Sequence, residues 1–184
     1  ETPWVLMDNA GGSVPCRQVI DRLHRFLTRH PVQLGASYGL SVDAGEAVAS
    51  GRAAAAALLG ATPEEVIVGA SSTALVNQLA AALRPGWSAG DEVIVTNVDH
   101  ETNVGAWRRL EASGIVLREW RVRPDTGELH PDVLAELLGE RTRLVAFTHC
   151  SNIVGSITDV AACTALARAA GALTRQLRAA FSDG

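Results

Sequence analysis

Two short segments, EVIVT at 92–96 and LVAFT at 144–148, are apolar at consecutive positions, and that pattern excludes most ways a chain can fold. Successive side chains of a strand point to opposite faces, so a strand with one wet face alternates apolar and polar residues. A strand that is apolar on both faces has to be covered on both, the usual condition of parallel strands layered between helices. The stretches between these runs carry the apolar spacing of helices, so the elements alternate. The expected fold class is α/β, a three-layer sandwich around a parallel-type sheet. At 184 residues and 47% hydrophobic content, the chain is long enough to bury such a core.

The remaining elements follow from punctuation and periodicity. A helix is expected over 15–30, with Val19, Ile20, Leu23, Phe26 and Leu27 on one side and Pro31 ending it. After the loop QLGASYG at 33–39, a second helix covers about 43–59 and stops at Gly60. Thr62-Pro63-Glu64-Glu65 has the chemistry of a capped turn. VIVG at 66–69 reads as the first strand of the sheet, followed by a helix over 72–83. The run at 115–122 mixes Arg118, Glu119 and Arg121 with Val116, Trp120 and Val122, which suits an edge strand with one wet face. Helices near 103–113, 131–139 and 159–170 complete the pattern, the last capped by Asp159 and closed by Gly171.

The final dozen residues, LTRQLRAAFSDG, break it. A central strand there would bury Arg175 or Gln176, at roughly 2–7 kcal/mol for an unpaired neutral polar group. The expectation is an aberrant tail over 174–184 that frays or lies on the surface, preceded by segments 1–60 and 61–173.

Charge and composition narrow the function. A net charge of −4 gives no reason to expect nucleic acid or an anionic membrane as partner. No apolar run approaches the roughly 20 residues of a membrane span, and no signal-peptide pattern opens the chain. Cys16, Cys150 and Cys163 are too scattered for a disulfide framework or a paired metal-ligand spacing. A cytoplasmic location is the expectation.

Chemistry is expected beyond the carboxyl ends of the strands, where ligands bind in open α/β sheets. VIVG leads to Ala70-Ser71-Ser72-Thr73 at a helix start, where free amides and small hydroxyls make a phosphate cradle, although such residues are also ordinary helix caps. EVIVT leads to Asn97-Val98-Asp99-His100-Glu101-Thr102-Asn103, in which His100 can stack on a ring, exchange a proton, bind a metal, or simply be a hydrogen-bonded loop residue. LVAFT leads to His149-Cys150-Ser151-Asn152-Ile153-Val154-Gly155-Ser156, where Asn152 can donate to a ligand oxygen and Gly155 permits a tight turn. A His149–Cys150 nucleophilic pair is disfavoured because neighbouring strand residues face opposite ways. Cys163 falls on a helix face with Val160, Ala167 and Ala170 and is expected in the core.

In order along the chain, DNAGGS at 8–13, VQLGASYG at 32–39, GASSTALVNQLA at 69–80, GDEVIVTNVDHETNVGAW at 90–107 and RTRLVAFTHCSNIVGSITDV at 141–160 resemble class V aminotransferases, in particular their cysteine-desulfurase-like branch. The resemblance runs to about Leu173. It implies a partial large domain of the type I pyridoxal-phosphate transferase fold with an incomplete sheet, 61–173 being its cofactor-binding part and 1–60 a substrate-side loop with helices. It implies pyridoxal 5'-phosphate as cofactor, bound through the phosphate by Ser72 and Thr73, through ring stacking by His100, and through the phenolic oxygen by Asn152. Asn9 and Ala10 would line the substrate side, and Gln33 to Tyr38 the site mouth and a homodimer contact. The substrate implied is a small amino acid, undergoing C–S cleavage of L-cysteine or transamination.

The departures are as informative. All sixteen Lys/Arg positions are arginine, so no lysine amine is present to hold the cofactor as a Schiff base. The family's pyridinium-pairing aspartate and nucleophilic cysteine are not matched either. The chain is expected to be truncated before the Schiff-base lysine and inactive alone, with no catalytic residue of its own. An exposed edge at 144–148 and an orphaned strand at 66–69 would make it marginally stable or prone to associate. The alternative function is a non-catalytic remnant that binds cofactor or a partner. A Rossmann-type nucleotide site is disfavoured because no strand is followed by G-x-G-x-x-G, and zinc held by His100, His149 and Cys150 because no close ligand pair supports it.

Overall fold

The computed structural model describes residues 3–5, 7–8 and 11–177, and the chain divides into two compact units, 1–69 and 70–184. The first unit holds helix α1 (Arg17–Arg29) and helix α2 (Gly39–Leu59). Helix α2 starts four residues before the expected position. The cause is Ser41, whose hydroxyl donates to the Gln33 carbonyl at 2.8 Å and accepts from the Ala36 amide at 3.0 Å, so the preceding loop is tied to the first turn. The helix ends where expected, at left-handed Gly60 (φ 64°), whose amide reaches back to Ala56 and Ala57. Thr62 to Glu65 form the capped turn, with the Glu65 carboxylate accepting from the Thr62 amide at 2.8 Å.

The expected strand at 66–69 is not in the sheet. Ile67 is 75% and Val68 70% exposed. A β-type run becomes a strand only when a neighbour takes its amides and carbonyls, and among the described residues no strand pairs with this one. The segment is unpaired, as an orphan would be, but it forms no strand.

The second unit is a parallel sheet of four strands in the order β2-β1-β3-β4, where β1 is Glu92–Thr96, β2 Val116–Trp120, β3 Thr142–Thr148 and β4 Leu173–Leu177. Five residues of β1 pair with β2, Glu92 opposite Val116 through Thr96 opposite Trp120. Helices α3 (Ser72–Leu83) and α4 (Glu101–Arg108) supply Val76, Ala80, Val104 and Trp107 to a core on one face, against Val93, Val95, Leu144 and Ala146. Helices α5 (Pro131–Leu137) and α6 (Val160–Ala169) supply Leu134, Cys163 and Ala167 to the other face, against Ile94, Val145, Phe147 and Trp120. Odd and even positions of β1 thus go to different cores, which is what an uninterrupted apolar strand requires.

Two expectations are corrected at the end of the chain. Residues 173–177 do not fray but form β4, parallel to β3 with Leu144 opposite Leu173 and Thr148 opposite Leu177. The objection to a strand there assumed two flanking strands, whereas β4 has a described neighbour on one side only. Backbone pairing to an apolar template outweighs the polar sequence. As a result, β3 is an interior strand, and the edge expected at 144–148 is covered; β2 and β4 end the described sheet. Residues 178–184 of the expected tail lie outside the described residues.

Before β1, Asp91 accepts from the Ser88 amide at 2.8 Å and pairs with Arg143 of β3 at 3.0 Å. The Arg143 guanidinium, with the Ser88 amide, holds the Asp91 carboxyl below its usual range. A depressed carboxyl stabilises the fold above its unfolded pKa of about 3.9, and that contribution is lost as pH falls through the folded value. Asp91→Asn should therefore lower the urea midpoint at pH 7, and the gap from wild type should narrow by pH 3; a gap that widens in acid would refute the pairing. Phe147, fully buried and edge-on to Trp120 at 5.9 Å, should cost about 3–5 kcal/mol when cut to Ala, read from urea unfolding.

Candidate functional site

Because all strands are parallel, the carboxyl ends of β1 and β3 open side by side, and the loops after them, 97–100 and 149–159, meet there. The first loop is fixed by its own polar groups. The Thr96 hydroxyl donates to Asp99 at 2.7 Å and the Asn103 amide donates to the other oxygen of the same carboxylate at 2.9 Å, all three buried. The next residue, His100, caps helix α4: its Nδ1 accepts from the Thr102 amide at 3.1 Å. This bond holds the imidazole, which is otherwise exposed, in one orientation.

Helix α3 begins beside this loop. Ser71 caps it, accepting from the Ala74 amide at 3.1 Å, so Ser72 and Thr73 occupy the first turn, where amides have no partner within the helix. The Thr73 and Thr102 hydroxyls lie 2.9 Å apart and join the starts of α3 and α4. A hollow of about 220 Å³ opens there, lined by Thr73, His100, Thr102, Gly105 and Arg109 among others. Arg109 donates to Asn77, which itself donates to the Thr73 carbonyl at 2.8 Å, so a cation is fixed at the rim.

The second loop folds back on itself, with the Ser151 amide donating to Ser156 at 3.0 Å, the Gly155 amide to Ser151 at 2.9 Å, and Gly155 in the left-handed region (φ 74°). Asn152 is exposed in the turn this closes. Ser151, almost wholly buried, donates its hydroxyl to the Val98 carbonyl at 2.9 Å and so joins the turn to the loop that carries His100.

Of the residues expected at the site, Thr73 and His100 line one hollow, Ser72 stands next to Thr73 on the same helical turn, and Asn152 is on the turn joined to the His100 loop. Neither Ser72 nor Asn152 lines the hollow itself. Asn9 and Ala10 lie outside the described residues. Sequence reasoning missed Ser151, Thr102 and Arg109. A serine before a turn asparagine is a signal for a side-chain-closed turn, whereas nothing in the sequence marks Arg109 among sixteen basic residues.

Cys163 is buried in the second core, where desolvation, with Asp159 adding to it, pushes the thiol up to about 11. Cys150 rests 3.8 Å from the Gly155 carbonyl. Among the described residues no three His, Cys, Asp or Glu side chains gather as metal ligands.

Hydroxyls and free amides at a helix start could take a dianion, an oriented imidazole could meet a ring face, and an exposed carboxamide could donate to a ring oxygen, although only Thr73 and His100 of these line the hollow. The fit is partial, since the 184 residues include no lysine.

The fold is a parallel α/β sheet layered between helices, and comparisons with known proteins place it in a family. The family model for aminotransferase class V matches residues 5–175, and the chain belongs to that family. It is 40% identical over 168 residues to an aminotransferase-like protein, FGM3, of Gibberella zeae, covering 88% of this chain and 41% of the relative. It is 31% identical over 173 residues to a cysteine desulfurase of Yersinia pestis, covering 92% of this chain and 42% of the relative. The apo cysteine desulfurase of Thermococcus onnurineus shares its fold at a TM-score of 0.84 and 23% identity, over 92% of this chain and 42% of that one. The chain spans about two-fifths of the length of these relatives. Family members are pyridoxal-phosphate enzymes.

With its thiol near 11, only about one Cys163 in a thousand is thiolate at pH 8. Iodoacetamide at that pH should label exposed Cys16 within the time that leaves Cys163 unmodified, and urea should make the two equivalent; equal labelling in the folded chain would contradict the assigned core position.

Proposed function

We propose that this chain supplies the phosphate-holding and ring-holding half of a pyridoxal-phosphate site in a protein that acts on a small amino acid, by C–S cleavage of L-cysteine or by transamination. The observation that carries the reading is the bond between Thr73 and Thr102, which sets a hydroxyl-bearing helix start against the histidine loop. When bound, pyridoxal phosphate supplies an aldehyde for the substrate amine and a ring that delocalises the electron pair released at the α-carbon.

This chain's own residues hold and orient. The hydroxyls of Ser72 and Thr73, with the free amides of their helical turn, would take the phosphate, and Arg109 brings a positive charge to a rim that also carries the Glu101 carboxylate, itself paired with Arg108. His100 would present its ring face, its tilt fixed by the Thr102 amide. Asn152 would donate its amide to the phenolic oxygen, and Asn9 and Ala10 would line the substrate side. The missing lysine favours binding without chemistry when the chain is alone, so its activity in isolation is expected to be absent. A homodimer, or association of isolated chains, and a cytoplasmic location belong to the same proposal. No described helix is long and apolar enough to cross a membrane.

Equilibrium dialysis against pyridoxal phosphate tests the reading. Wild type should bind one equivalent, and borohydride should leave no cofactor-sized mass on any side chain. Thr73→Ala and His100→Ala should each weaken binding about tenfold, equivalent to about 1.4 kcal/mol, with unchanged circular dichroism. No binding by wild type, or full affinity in both variants, would end the proposal.

A further inference from the structure

We propose that Ser151 is a positioning residue, holding Asn152 in register with His100 so that the two address one ligand. The inference rests on the site reading above. The two residues sit on loops that follow different strands, β1 and β3, and the backbone between them runs through α4, β2, α5 and β3. Something must set one loop against the other, because a strand end by itself leaves its loop free to settle in several ways.

Ser151 does this with a single oxygen. Its hydroxyl proton goes to the Val98 carbonyl at 2.9 Å, two residues before His100. The lone pairs accept from the amides of Ile153 at 3.2 Å and Val154 at 3.3 Å, the two residues that follow Asn152. A hydroxyl has one proton and two lone pairs, so its bonding capacity is fully used. Ser151 is 3% exposed and Val98 4%, so water has little access to replace the bond between them. The Ser151 backbone closes the same turn through Ser156 and Gly155. Asn152 is thus carried on a turn bonded to the histidine loop, and is itself exposed.

Removing the hydroxyl leaves a buried carbonyl and two amides without their partner and uncouples the loops, while Asn152 and His100 stay chemically intact. Ser151→Ala should weaken pyridoxal phosphate binding about tenfold, and Ser151→Thr, which keeps the hydroxyl, should restore most of it. A role through Asn152 has a further signature: in the Asn152→Ala background, Ser151→Ala should weaken binding by less than about twofold. Equal losses in both backgrounds would show a general structural effect and overturn the proposal, as would full affinity in Ser151→Ala. Amide hydrogen exchange on the ligand-free chain separates this from failure of the cofactor reading. Ser151→Ala should speed exchange at Ile153 and Val154 and also across 100–103, where the other loop enters α4. If wild type binds no pyridoxal phosphate, the cofactor reading falls, and unchanged exchange over 100–103 would overturn the coupling independently.

Discussion

Parallel strands put all their carboxyl ends along one edge of the sheet, and the geometry of the site depends on that directionality. EVIVT and LVAFT are neighbours in the sheet because each needs cover on both faces, and two such strands side by side share the same pair of helical layers. Once they are adjacent and parallel, the loops after them emerge together, and His100 and Asn152 come within one joined loop system despite the 52 positions between them in sequence. An antiparallel pairing of the same strands would have placed those loops at opposite ends.

Polar bonds then convert proximity into defined positions. Thr96, Asp99 and Asn103 brace the first loop from below, the Thr102 amide orients the imidazole, and the Thr73–Thr102 contact brings in the start of α3. Ser151 performs the corresponding function for the second loop. Each is a short side chain bonded to backbone or to another short side chain, so little conformational entropy is lost in holding it. Such a site is set in place before a ligand arrives, which is where much of the affinity for a rigid ring originates.

The elements that could be read from sequence were those whose pattern is decided locally. The helix over 72–83 and the strand over 92–96 matched to the residue, since capping serines and an uninterrupted apolar run leave no competing assignment. Residues 66–69 and 173–177 were misread in opposite directions for one reason: being a strand depends on a partner. VIVG has the composition and no neighbour, whereas LTRQL has the wrong composition and pairs with β3. At the site, ring- and amide-bearing residues could be picked out because their chemistry is distinctive. Thr102 and Arg109 could not, because their roles run through contacts 29 and 32 positions distant, and the tie from Ser151 to Val98, unlike its turn, spans 53 positions.

The central claim is that Ser72, Thr73, His100 and Asn152 serve a single ligand, and titrating isotope-labelled chain with pyridoxal phosphate while following backbone amide resonances tests it most directly. The account predicts that the amides of 72–73, 100–102 and 152–154 shift together along curves described by one dissociation constant. Shifts confined to one of these segments, or segments that titrate with separate constants, would contradict it.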